Sequence, residues 1–224
     1  RSSAHMVARG GRASWIGQVP EGVLSEGTST EVIASALAEL TAEPLPGLPP
    51  LTGGLVGALG WDTLYDWEPT LSREAPGELT TPDAALCLVS DMVAVDHHEG
   101  VVWLMSNAVN ADNRDAGAEA AYDAAVERLS AMAADLSTPV PLHAVKIGDA
   151  PTAQPVLRTP REDFERAVDE GKEAIREGEV FQVVLSQRAD VECTADPFDV
   201  YRVLRTVNPS PYMYYLRLAD GTGG

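Results

Sequence analysis

The stretch Glu179-Val180-Phe181-Gln182-Val183-Val184-Leu185-Ser186-Gln187-Arg188 decides the reading of this 224-residue sequence. From Val180 to Arg188 the side chains alternate: Phe181, Val183 and Leu185 share one face, and Gln182, Val184 and Ser186 share the other. That period of two predicts a strand. Just before it, Thr159-Pro160-Arg161-Glu162 reads as a capping box with proline in the first turn. Phe164, Val168 and Ile175 then fall on one helical face up to Gly178. Just after it, Asp196-Pro197-Phe198-Asp199 caps a second helix whose Val200, Tyr201, Val203 and Leu204 point inward. Asn208 ends that helix, Pro209 and Pro211 forbid its continuation, and Tyr212 to Leu218 predicts a final strand. The order is helix, strand, helix, strand.

Working toward the N-terminus, residues 137–155 are rich in proline and small residues and mark the best internal boundary. The expected organisation is an N-terminal α+β region over 1–145, a linker over 146–158, and the start of a second domain over 159–224. Residues 113–136 predict a long helix with a stripe of Ala121, Tyr122, Ala125, Val126, Leu129, Met132, Ala133 and Leu136. The β-rich runs 84–95 and 101–107 flank Asp96-His97-His98-Glu99-Gly100 and predict a hairpin with a solvated tip. Gly53-Gly54-Leu55-Val56-Gly57-Ala58-Leu59-Gly60 lacks the Gly-Lys-Ser/Thr ending of a phosphate loop and the spacing of a dinucleotide fingerprint. Its glycines predict close backbone packing instead. Thr28 to Glu31 is a capping box that opens a helix carrying Val32, Ile33, Ala36, Leu37 and Leu40. Residues 3–17 predict a hairpin around Gly10-Gly11.

Composition narrows the function. Acidic residues outnumber basic ones 34 to 16, for a formal charge of −18. Such a surface repels phosphate backbones, so no nucleic-acid partner is expected. No apolar run approaches the roughly 20 residues that span a bilayer, and no signal peptide opens the chain; no membrane role and a cytoplasmic location are expected. Cys87 and Cys193 stand in no metal-binding spacing and read as buried, reduced thiols. The four histidines nominate no catalytic base, and no Ser/His/Asp or Cys/His set suggests a nucleophilic triad. Residue 1 is Arg, and Gly221-Thr222-Gly223-Gly224 follows directly on an apolar strand, so the sequence reads as a fragment.

The opening stretch and Asn208-Pro209-Ser210-Pro211-Tyr212-Met213-Tyr214-Tyr215-Leu216, separated by a helix ending Tyr201-Arg202-Val203-Leu204-Arg205, resemble successive motifs of the anthranilate synthase large subunit, a branch of the chorismate-utilising enzymes. The glycine-rich segment and Trp61-Asp62 resemble that family's N-terminal region more weakly. The resemblance implies an α+β fold, an antiparallel two-sheet sandwich with helices packed outside, here incomplete. It implies conversion of chorismate to anthranilate and pyruvate with Mg²⁺, using ammonia from a glutamine amidotransferase partner, under feedback inhibition by tryptophan. The family's metal-binding glutamates, catalytic histidine and carboxylate-binding arginine match nothing in this chain. No metal ligand is therefore assigned, and the isolated chain is expected to be inactive.

Two groups of residues carry what the resemblance assigns here. Asn208, Ser210, Pro211, Tyr212 and Met213 match part of the tryptophan site; the prolines stiffen the loop, while Tyr212 and Met213 offer an aromatic face and a thioether to an indole. Gln182 matches the position at which relatives that add water to chorismate carry a lysine. Water near neutral pH needs a base, whereas ammonia already has a nucleophilic lone pair that a neutral amide can position. Glutamine therefore favours amination. Two alternatives stand beside this: an aminodeoxychorismate synthase, which aminates without losing pyruvate, and a non-catalytic tryptophan-binding module.

Overall fold

The computed structural model describes residues 2–72, 79–112, 114–145, 148 and 154–218. Most of the linker expected at 146–158 and the glycine-rich end at 221–224 lie outside them. The chain divides into two compact units, Arg1–Pro141 with Leu216–Gly224, and Leu142–Tyr215. Both are α+β, and every strand pairing is antiparallel.

In the first unit, β1 (Ser2–Arg9) and β2 (Arg12–Gly17) form the expected hairpin, with Gly10 and Gly11 at positive φ where the chain reverses. β3 (Glu26–Gly27) extends the β2 edge, and the Thr28 hydroxyl and Glu31 carboxylate close the capping box of α1 (Ser29–Leu40). β4 (Gly54–Leu59) comes from the glycine run, and β5 (Ala84–Val89) inserts between β1 and β4. The five-stranded order is β3-β2-β1-β5-β4. A 3₁₀ turn at Trp61–Thr63 and the short helix α2 (Leu64–Trp67) follow β4.

The register explains the core. Met6 pairs with Trp15 and Leu86, and Ala8 with Ala13 and Ala84, so these side chains share one face. Val32 of α1 closes that face, and Met6, Ala8, Ala13, Val32, Ala84 and Leu86 make one buried cluster. Gly57 lies opposite Leu86. A Cβ there would overlap the Ala85 carbonyl oxygen and sit 2.8 Å from the Leu86 Cα. Gly57 and Gly60 thus sit too close to neighbouring backbone for a side chain, as the sequence suggests, whereas Gly54 has open space around it.

The run 84–95 is not one arm of a hairpin. It breaks at Ser90 into β5 and β6 (Asp91–Asp96), which belong to different sheets, and β6 pairs with β7 (Val101–Ser106). The break is held by polar groups. The Ser90 carbonyl accepts from the Asn107 backbone N–H at 2.8 Å and from its side-chain amide at 3.0 Å. Asp91, only 3% exposed, accepts from Ser106 Oγ at 2.7 Å and from Arg128 Nε at 3.0 Å. Arg128 belongs to α3 (Asp115–Ser137) and also donates to the Asn107 carbonyl at 2.8 Å. Burial alone would raise the Asp91 carboxyl, but the Ser106 and Arg128 bonds outweigh it and hold the group below the usual range. The expected α3 stripe is narrower than its sequence pattern: Ala125 and Met132 are buried, whereas Tyr122, Val126 and Leu136 are exposed.

The second unit contains β8 (Val156–Leu157), α4 (Arg161–Glu177), β9 (Ala189–Asp190) and α5 (Pro197–Val207). Pro160 rather than Thr159 occupies the N-cap of α4, and no side chain caps it, so the expected capping box does not form. The strands predicted at Val180–Arg188 and Tyr212–Leu218 are absent among the described residues; both stretches are irregular backbone. Alternating side chains supply the pattern of a strand, but a ladder also needs a neighbouring backbone. Only Ala189 and Asp190 find one, opposite Leu157 and Val156.

Truncating Arg128 strands a buried carboxylate. Arg128→Ala is expected to cost about 2–3 kcal/mol, at the low end for a buried pair because the guanidinium is partly solvated. Urea unfolding followed by far-UV circular dichroism should show that loss as a lower midpoint, and an unchanged midpoint would remove Asp91 from the forces that hold α3.

Candidate functional site

Gln182 and the Asn208–Met213 loop both lie in the second unit. The segment that carries Gln182 leaves α4 through Gly178, whose φ of +80° is the left-handed conformation that glycine adopts without cost. The Gly178 N–H donates to the Ile175 carbonyl, and the Glu179 N–H donates to the Ala174 carbonyl at 3.0 Å. Phe181, Gln182, Val183, Val184 and Leu185 are all exposed. At the far end the Arg158 N–H donates to the Arg188 carbonyl at 2.9 Å. Asp190 then gathers two guanidiniums: Arg188 Nε at 2.7 Å and Nη2 at 2.9 Å, and Arg158 Nε at 2.6 Å. The Arg188 and Arg158 hydrogen bonds lower the Asp190 carboxyl from its ordinary 3.8 to about 2.

The second loop leaves α5 and returns to it. Asp196 caps α5 by accepting from the Phe198 N–H at 2.8 Å, and Asn208 donates its N–H to the Leu204 carbonyl at 2.9 Å. Beyond the prolines, Tyr215 packs on α5, its ring 5.2 Å from Phe198 and 6.1 Å from Tyr201. Between these anchors Asn208, Ser210, Pro211 and Tyr212 are exposed, and Met213 is half-buried. Behind Asp199, also on α5, His143 and Arg202 hold the carboxyl below the usual range, and Arg202 donates to the His143 carbonyl at 2.8 Å.

A groove of about 640 Å³ runs along α4, floored by Leu157, Phe164 and Val168 and edged by Arg161, Lys172 and Gln187. Arg161 and Lys172 pair there with Glu165 and Asp169, which cancels their charge locally. The groove lining includes neither Gln182 nor the 208–213 loop. The structure therefore places the residues singled out from sequence on two anchored, open segments outside that groove. Among the described residues, no three His, Cys, Asp or Glu side chains converge to hold a metal. The thiols differ from expectation: Cys87 is half-buried, and Cys193 is exposed. Cys87 Sγ lies 3.2 Å from His5 Nδ1, and burial pushes its thiol up.

Sequence reading missed both arginine–aspartate clasps. Asp91 gave the clearer signal, as a charged residue inside an apolar β-rich run. Arg158 and Asp190 are 32 residues apart and carry no local pattern that pairs them.

The sequence from residue 4 to residue 222 matches the family described as chorismate binding enzyme. The chain belongs to that family. It is 43% identical to anthranilate synthase component 1 of Arthrobacter globiformis over 228 aligned residues, covering all of this chain and 42% of that protein. The same-named protein of Mycolicibacterium smegmatis is 41% identical over 98% of this chain and 41% of its own length. In fold the chain is similar to the crystal structure of anthranilate synthase component I from Streptococcus pneumoniae TIGR4, with a TM-score of 0.73, 23% identity, and coverage of 96% of this chain and 45% of that one. The chain thus spans about two-fifths of the length of the curated relatives it matches. No described helix is long and apolar enough to cross a membrane.

The Asp190 clasp has a defined acid limit. Its carboxyl titrates at about 2 when folded, against an ordinary 3.8, so the clasp's contribution is complete above pH about 4 and lost as pH falls through about 2. A carboxyl-detected NMR titration should report this midpoint for Asp190, and a midpoint near 3.8 would show that the two guanidiniums do not hold it in solution.

Proposed function

We propose that this chain is part of an anthranilate synthase large subunit, in which chorismate and ammonia become anthranilate and pyruvate in tryptophan biosynthesis. The observation that carries the reading is 43% and 41% identity, across essentially the whole of this chain, to proteins of that name. Gln182 adds a chemical reason: its amide can accept from and orient ammonia without deprotonating water, which suits amination. In this reading residues 159–224 begin the chorismate-binding domain and residues 1–145 form the N-terminal region. The complete subunit is a two-sheet sandwich with helices outside.

The rest of the proposal follows from the same resemblance. A glutamine amidotransferase subunit supplies the ammonia. Asn208, Ser210, Pro211, Tyr212 and Met213 form one wall of a tryptophan effector site; their loop is stiffened by two prolines and anchored at both ends, which lowers the ordering cost of binding. The implied Mg²⁺ is assigned to the complete subunit, and the role proposed for this chain's own residues is positioning. A cytoplasmic setting agrees with two free cysteines.

Product analysis tests the reading. The natural polypeptide that carries this sequence, given chorismate, Mg²⁺ and ammonium, should release anthranilate and pyruvate in equal amounts. An amino product without pyruvate would instead assign it to the aminodeoxychorismate branch. The 224-residue chain by itself should leave chorismate unconsumed and bind tryptophan weakly or not at all by calorimetry. Turnover by that chain would show that catalytic groups lie within it, and micromolar tryptophan binding would favour a sensing module.

A further inference from the structure

Among the described residues no strand lies beside the segment that carries Gln182, yet a group that orients ammonia must itself be held. Two features on either side of Gln182 do this. The first is Gly171, in the interior of α4, where glycine is less favourable than alanine. A Cβ on Gly171 would lie 2.9 Å from Cγ1 of Val183, nearer than real Cβ atoms approach their neighbours. The missing side chain makes room for Val183, the residue next to Gln182. Valine is stiff about χ1, so Val183 must shift to admit a methyl group at 171.

The second feature is the clasp at the far end. Asp190 is held by guanidiniums from both sides of the β8–β9 pairing, Arg158 before α4 and Arg188 at the end of the segment. The four ion pairs within α4 join residues three or four positions apart and only decorate the helix. The Arg158–Asp190 bond, by contrast, ties the chain entering α4 to the chain leaving the Gln182 segment.

We infer that Gly171 and Asp190 are positioning residues for Gln182: Val183 seated over Gly171 and the Arg158–Asp190–Arg188 clasp together aim its amide. The inference rests on the reading of Gln182 as the group that orients ammonia.

Steady-state kinetics of the natural polypeptide with ammonium, together with NMR of the 224-residue chain, test it. Gly171→Ala should raise the KM for ammonium on the order of tenfold, short of the roughly hundredfold that a misplacement of about 1 Å can cause. The KM for chorismate should stay unchanged; a fold-wide loss would lower kcat and leave both KM values alone. Adding Val183→Ala to Gly171→Ala removes the colliding methyl and should restore the ammonium KM. Asp190→Asn should raise the same KM, with partial recovery in Asp190→Glu. In the isolated chain, each damaging variant should shift the Gln182 side-chain amide resonances.

Unshifted Gln182 resonances would overturn the inference, as would failure of Val183→Ala to rescue Gly171→Ala. Shifted resonances with an unaltered ammonium KM would leave the two clamps standing and place the error in the reading of Gln182.

Discussion

An extended backbone without a neighbouring strand keeps its course only where something else pins it. That constraint governs the segment from Glu179 to Arg188. Its start is fixed by the left-handed turn at Gly178, its middle by Val183 against Gly171, and its end by Asp190 between two arginines. The orientation proposed for Gln182 depends on those three points, since no ladder among the described residues reaches it.

The two units meet the same demand by different means. The first satisfies its backbone through a five-stranded ladder and buries a small-residue core beneath α1. Alanines at 8, 13 and 84 keep that core small, and the glycine at 57 lets its strand approach the neighbouring backbone at Ala85 and Leu86. Where the chain must leave that sheet at Ser90, a buried carboxylate and a guanidinium replace apolar packing. Among the described residues of the second unit, none is buried. Capped helix ends, ring contacts and the Asp190 clasp therefore carry a larger share of its order.

Local signals in the sequence translated directly into structure. Thr28 and Glu31 form their box, Gly10-Gly11 turns its hairpin, Gly178 and Asn208 end their helices, and Asp196 caps α5. Each involves groups within about four residues of one another, where the chain itself brings the partners together. Apart from the Thr159 box, what failed required a distant partner. Residues 84–95 look continuous because the choice of sheet on either side of Ser90 is made by Asn107 and Arg128. Residues 180–188 and 212–218 alternate like strands, but alternation says nothing about whether a neighbouring backbone is present. Thr159 was one residue too early, since Pro160 took the cap. The candidate site residues were named from ordered motifs; the contacts at Gly171 and Asp190 near them were not legible, because they join residues well separated in sequence.

The central chemical claim is that a neutral amide at position 182 selects ammonia over water. Replacing it with a basic amine supplies the group that water addition needs and removes the one that orients ammonia. The most direct measurement is therefore chromatographic product analysis of the Gln182→Lys natural polypeptide with chorismate and ammonium. This account predicts that anthranilate falls away and an isomer of chorismate appears, in which water has added to the ring as the original hydroxyl leaves. Anthranilate formed at the unaltered rate, with no such isomer, would contradict it.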